Sequence, residues 1–167
     1  MSKRYQRTSK RQRYRRTVAR FMSHELPTIS EQKQKLYRPT MGQVEFYYRL
    51  LNHLIFRDQL TRPDLIIRRL HSAWGLCVGH NDLSCEIHLT DRFYCKQWFL
   101  VVLAHEMCHQ YQWQVLGRQR LEEGRRPIMS HGPSFFIFRD RLRELGIPLK
   151  VTVKTGRWFR LQDFLRA

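Results

Sequence analysis

Apolar positions along the chain fall into three stretches at helical spacing and three short extended runs. Thr40 and Gln43 fit a capping box ahead of Val44, Tyr47, Tyr48, Leu51, Leu54 and Ile55, which predicts a first helix starting at Thr40. Residues 64–70, 74–78 and 85–90 read as strands. The turn Gly79-His80-Asn81-Asp82 separates the last two, and the three together predict a small antiparallel sheet. A second helix is expected from about Lys96, Asp91 being the earliest start, to Leu116, with Gly117 at its C′ position. Leu100, Leu103, Met107 and Tyr111 mark one face of it while Trp98, Val101 and Val102 fill the other, so this helix belongs in the middle of a domain. The polar stretch 117–130 predicts a long loop, either mobile or a wall of a functional site. A third helix is expected from Gly132-Pro133, with Pro133 at N1 and Phe135, Phe138, Leu142 and Leu145 along it, until Gly146 and Pro148 stop it. A last strand at 149–154 and the segment 158–165 close the chain. The pattern is that of an α+β domain, three main helices on a small antiparallel sheet.

Charge divides this picture in two. The formal charge is +17, of which +10 lies in the first 40 residues and +7 in the remaining 127. The first 20 residues hold nine basic side chains and no acid, with too few apolar positions to show a period, so self-repulsion predicts a disordered basic tail. The expected division is a tail over 1–39 and a folded domain over 40–167. Lys3, Arg4, Arg7, Lys10, Arg11, Arg13, Arg15, Arg16 and Arg20 can displace counterions from phosphates, and Tyr5 and Tyr14 can stack on bases, which makes DNA the expected partner of the tail. Arg118, Arg120, Arg125 and Arg126 are the next candidates for a basic track.

The longest apolar run, 98–104, is far short of the ~20 residues of a membrane span. The basic N-terminus lacks the apolar core of a secretory signal, so the expected setting is intracellular: cytoplasm or nucleoid, or the nucleus in a eukaryote. In that reducing setting Cys77, Cys85, Cys95 and Cys108 read as core thiols, and no C-x-x-C is present to make a zinc ribbon.

Within the apolar second helix stands His105-Glu106-Met107-Cys108-His109. Histidines at i and i+4 point the same way one turn apart and can share a Zn²⁺, while Glu106 sits beside the metal as general acid/base for a water attacking a carbonyl. A chance match in a chain of this histidine and glutamate content is expected only about 0.02 times, so the pattern outweighs the reading of isolated core histidines. Three polar groups in the most apolar helix also need a compensating partner. The metzincin extension is excluded, because Gln112 and Val115 stand where it requires Gly and His. A third ligand can come from a carboxylate, Glu122, Glu123 or Glu144, but His131 is the better candidate, since it stands immediately before the Pro-initiated helix where local geometry is fixed. Cys108 reads as a small buried hydrophobe rather than a ligand.

The helix end Leu54-Ile55-Phe56, a short sheet, Leu103-Ala104 before the H-E-x-x-H, and His131-Gly132-Pro133-Ser134-Phe135 downstream resemble the SprT-like metalloproteases, the group that includes the DNA-dependent protease Spartan. The resemblance covers about residues 42–150. It implies a zincin-like minimal metalloprotease fold, one zinc per chain on His105, His109 and His131, Glu106 as the catalytic residue, and cleavage of proteins bound or crosslinked to DNA. The chain departs from many such proteases in lacking a C-terminal zinc ribbon, a role the basic tail can take. The competing expectations are a nucleic-acid-binding adaptor with a non-proteolytic zinc site and a zinc hydrolase of small amides.

Overall fold

The computed structural model describes residues 9–28, 30, 31 and 35–151. The fold is α+β, with a sheet of three strands and the most apolar helix at its centre. Helix α1 spans Lys10–Met22, α2 Met41–Leu54, and strands β1 Asp64–Ile67, β2 Gly75–Gly79 and β3 Cys85–Leu89 follow. Helix α3 runs over Lys96–Tyr111 and passes through a π-helical turn, Gln112–Leu116, into α4, Gly117–Glu122. A 3₁₀ turn, Phe135–Phe138, leads into α5, Arg139–Arg143. No helix among the described residues is long and apolar enough to cross a membrane.

The α2 boundary is where the sequence places it. Thr40 Oγ1 accepts from the Gln43 N–H at 3.2 Å while Gln43 Oε1 accepts from the Thr40 N–H at 2.9 Å, a complete capping box. Strand β3 is central: Ile87 pairs with Leu65 on one side and with Cys77 on the other. Ile87 and Leu89 are fully buried, and β3 and β2 both pack against α3.

Five expectations need correction. The sheet is mixed, not antiparallel, because β1 runs parallel to β3 and only β2 runs antiparallel to it. β2 and β3 are joined by a tight turn, whereas the connection from β1 to β2 is long enough for β3 to insert between them. The second correction concerns the tail, which is helical over Lys10–Met22, not disordered. Tyr14, Val18, Phe21 and Met22 form one stripe at helical spacing, only half of which falls within the charged first 20 residues. Val18 is fully buried, and the Phe21 ring lies 4.5 Å from that of Tyr47 on α2. Ser9 and Gln12 close a capping box that starts the helix.

Third, Gly117 does not end the long helix. A Cβ there would lie 3.0 Å from Pro127 Cβ, so the glycine admits the returning chain at close range. The helical path ends later, near Gly124, which takes the left-handed conformation at φ +70°. Part of the expected loop 117–130 is therefore α4. Fourth, the third helix opens as a 3₁₀ turn: Phe135 and Phe138, three apart, are both buried, a spacing that three residues per turn aligns. The expected strand at 149–154 is not formed over 149–151, and its remaining residues, like Lys3, Arg4, Arg7 and 158–165, lie outside the described residues. All four cysteines are buried and free.

Candidate metal centre

His105 and His109 project from one side of α3, and His131 reaches them from the chain just before the 3₁₀ turn. His131 Nε2 lies 3.1 Å from His105 Nε2 and 3.2 Å from His109 Nε2. Metal–nitrogen bonds of ~2.0–2.1 Å in a tetrahedral site put ligand nitrogens about 3.3–3.4 Å apart, so the trio has the spacing of a ligand set. These are the residues of the described chain whose donor atoms gather closely enough to hold a metal ion. Glu122 and Glu123, at the end of α4, and Glu144 do not join them: Glu123 pairs with Arg125, and Glu144 pairs with Arg15 at 3.3 Å. Cys108 is buried and stays outside the cluster.

The hydrogen bonds around the rings set their protonation. His105 Nδ1 donates to the Lys150 carbonyl at 3.1 Å, and His109 Nδ1 donates to Gln112 Oε1 at 2.9 Å. Each leaves its Nε2 as a bare lone pair aimed at the others. His131 Nε2 carries at most one hydrogen and so can serve only one of its two neighbours. Burial holds all three imidazoles below their ordinary pKa, His105 down to about 3, so they are neutral at neutral pH. A convergent set of neutral nitrogen donors lacking enough hydrogens to satisfy itself fits a cation.

Gln112 locks this arrangement. Its Oε1 also accepts from the Ser130 N–H at 3.2 Å, and its Nε2 donates to the Ser130 carbonyl at 2.8 Å and to Ser134 Oγ at 2.7 Å. One side chain, 1% exposed, thus orients His109 and pins the residues flanking His131 to the helix. The three rings rest on Phe135, whose centroid lies 4.7–4.8 Å from each of theirs. Replacing Gln112 by Ala is expected to weaken metal affinity by about 10–100-fold with the helix content unchanged, as read by chelator competition and circular dichroism.

Glu106, 5% exposed, lies between α3 and the start of β2. A Cβ on Gly75 would come within 2.7 Å of Glu106 Oε1 and 2.8 Å of Val102 Cγ1, so the bare glycine makes room for the carboxylate. Burial raises its pKa to about 8, against a hydrogen bond with the Cys77 backbone that acts the other way. A cation on the imidazoles would lower it again. His105 and Glu106 both line an open cleft of about 210 Å³ bounded by 72–75, Val101, Val102 and the 150–151 segment.

The structure brings His105, His109 and His131 together, with Glu106 beside His105 in the cleft, while Arg120 and Arg125 line a separate cavity with Ser130 and Ser134. Lys10, Arg11, Arg13, Arg15, Arg16 and Arg20 lie on α1, all exposed. Arg118 and Arg120 belong to α4, and Arg125 and Arg126 follow it, with Arg120 Nε donating to the Arg126 carbonyl at 2.7 Å. Sequence reasoning missed three contributors. Gln112 had a weak signal, being one of three alternating glutamines, Gln110, Gln112 and Gln114, that directly follow His109. Gly75 and the Lys150 carbonyl had none, since a backbone approach leaves no side-chain pattern. Compared with known proteins, the chain matches no family model, no curated protein and no solved structure.

Proposed function

We propose that this chain is a zinc-dependent endopeptidase of the SprT-like type, zincin-like in its catalytic domain, that cleaves proteins bound or crosslinked to DNA. One observation carries the reading: three neutral imidazole nitrogens converge at 3.1 and 3.2 Å, and Glu106, next to His105 on the same helix, lines a cleft together with it. His105, His109 and His131 would hold one zinc per chain, which supplies Lewis acidity and lowers the pKa of a coordinated water from about 15.7 to about 7. Glu106 takes the proton of the attacking water and returns it to the departing amine. Gln112 and the Lys150 carbonyl hold the rings in the tautomer that keeps the lone pairs inward. Among the described residues β2 pairs only with β3, so its outer edge offers backbone hydrogen bonds to an extended peptide laid beside the cleft. A purely structural site would need no carboxylate beside its ligands, which weighs against an adaptor.

Digestion of unfolded casein by the zinc-loaded full chain, with and without DNA, tests this. Expected are fragments that disappear with chelator. DNA binding without cleavage would make the chain an adaptor, and hydrolysis restricted to small amides would make it an amidohydrolase.

The DNA half of the reading is supported by α1. With Val18 turned into the core, Arg13, Arg16 and Arg20 share the opposite, exposed face. Replacing these three by Gln is expected to weaken binding of an oligonucleotide and to reduce the slope of log K against log[salt] by about two to three, since each phosphate contact contributes ~0.7–0.9. Fluorescence anisotropy across a salt series measures it, and an unchanged slope would move the interface to another face.

A further inference from the structure

Beyond the metal-side cleft, across Ala73 and Trp74, lies a second cavity of about 310 Å³ that shares those two residues as its wall. We propose that it is a subsite for an acidic side chain of the substrate protein, with Arg69 as the residue that selects it. This rests on the endopeptidase reading and adds a specificity to it.

The cavity's lining is part apolar and part polar, and its polar part carries arginines. Leu36, Leu70 and Tyr94 line it together with Arg69, His71, Asp91 and Arg92. The carboxylate already present is taken: Arg92 Nε lies 3.3 Å from Asp91 Oδ1, and Arg38 Nη1 lies 3.5 Å from Oδ2. Arg69 is exposed and has no ion-pair or hydrogen-bond partner among the described residues, so one guanidinium at the rim has no matching anion. A carboxylate on a methylene stem satisfies both features, its stem against the apolar walls and its oxygens on the planar fork of Arg69.

The shared wall is rigid. The Trp74 ring stacks on Phe93 at 5.9 Å and meets Tyr94 edge-on at 4.6 Å and Trp98 at 6.1 Å, which fixes the two cavities relative to each other. β2 begins at Gly75, directly after this wall. A peptide extended along the open edge of β2, with its scissile carbonyl at the histidine cluster, continues past Gly75 and Trp74 to the rim. There, alternate side chains, about 6.6–6.8 Å apart, reach the same side. A nucleic-acid backbone, with no narrow apolar stem, matches the rim and not the walls.

Two measurements on the zinc-loaded full chain test the proposal. In the first, a fluorescent unfolded peptide containing a single Glu and its Gln counterpart are titrated into the Glu106→Gln protein. The Glu peptide is expected to bind roughly tenfold tighter, and Arg69→Glu in the same background to abolish the difference. In the second, the active protein is given a peptide mixture from an unfolded proteome and its products are read by mass spectrometry. Asp and Glu are expected to be enriched at one position on one side of the cut, with the enrichment lost in Arg69→Glu. Equal binding of the two peptides, or cleavage without acidic enrichment, would overturn the subsite. So would an Arg69→Glu change that weakens only oligonucleotide binding, since the rim would then belong to nucleic acid. Arg69-dependent binding of the Glu peptide without any cleavage would leave the subsite standing and remove the endopeptidase reading.

Discussion

Glu106→Gln is expected to keep its fold and its metal and to lose about two to four orders of magnitude in the rate of protein cleavage. The side chain is buried in a slot closed by Gly75 and Val102, where the isosteric amide fits without new contacts. The side chains placed to hold a metal are His105, His109 and His131, so the substitution leaves that donor set unchanged. What is lost is a proton acceptor: the amide cannot take the proton of the attacking water, nor return it to the departing amine. The loss should appear in kcat more than in KM, because the interaction is made in the transition state and not with the resting substrate. Metal analysis, circular dichroism and casein digestion read the three expectations separately. Turnover within a few fold of the unaltered protein would remove Glu106 from the chemistry and with it the proposed mechanism.

How far the sequence reaches is plain from particular residues. His105, Glu106 and His109 are legible because a helix fixes which side chains share a face, so spacing alone predicts their geometry. The capping box at Thr40 is legible for the same reason, being local. His131 lies 22 residues beyond His109, and its approach depends on the turn into Phe135 and on the amide of Gln112; its spacing in the sequence carries none of this. The strand order also escapes, since a run of apolar residues announces a strand but not its neighbour. The basic N-terminal segment misleads in a different way. Its charge dominates composition, while the four inward side chains that anchor α1, Tyr14, Val18, Phe21 and Met22, straddle the point where the charged run ends. A stripe of four residues is enough to hold a capped helix against α2.

The same non-local closure makes His131 the residue whose removal is expected to cost the proposed metal site most. His131→Ala is expected to lower zinc affinity by more than the roughly 10–100-fold typical of an outer partner such as Gln112, because it removes a donor and not merely its orientation. Two imidazoles one turn apart would remain, open on the side that the 130–135 segment otherwise closes. The variant should still fold: His131 is exposed, and the neighbouring Ser130 and Ser134 stay tied to Gln112 at 2.7–3.2 Å. The separation of folding from binding gives a second readout. Zinc bound at this site would stabilise the unaltered protein by RT ln(1 + [Zn]/Kd), so its thermal midpoint is expected to rise with added metal, and in the variant that rise should nearly vanish. Chelator competition gives the affinity directly. The comparison variant is Glu122→Ala/Glu123→Ala, which alters the acidic end of α4 and is expected to leave both readouts unchanged, Glu123 being engaged with Arg125. Undiminished zinc binding in His131→Ala together with its loss in the glutamate variant would transfer the third ligand to α4 and undo the histidine cluster as the metal centre.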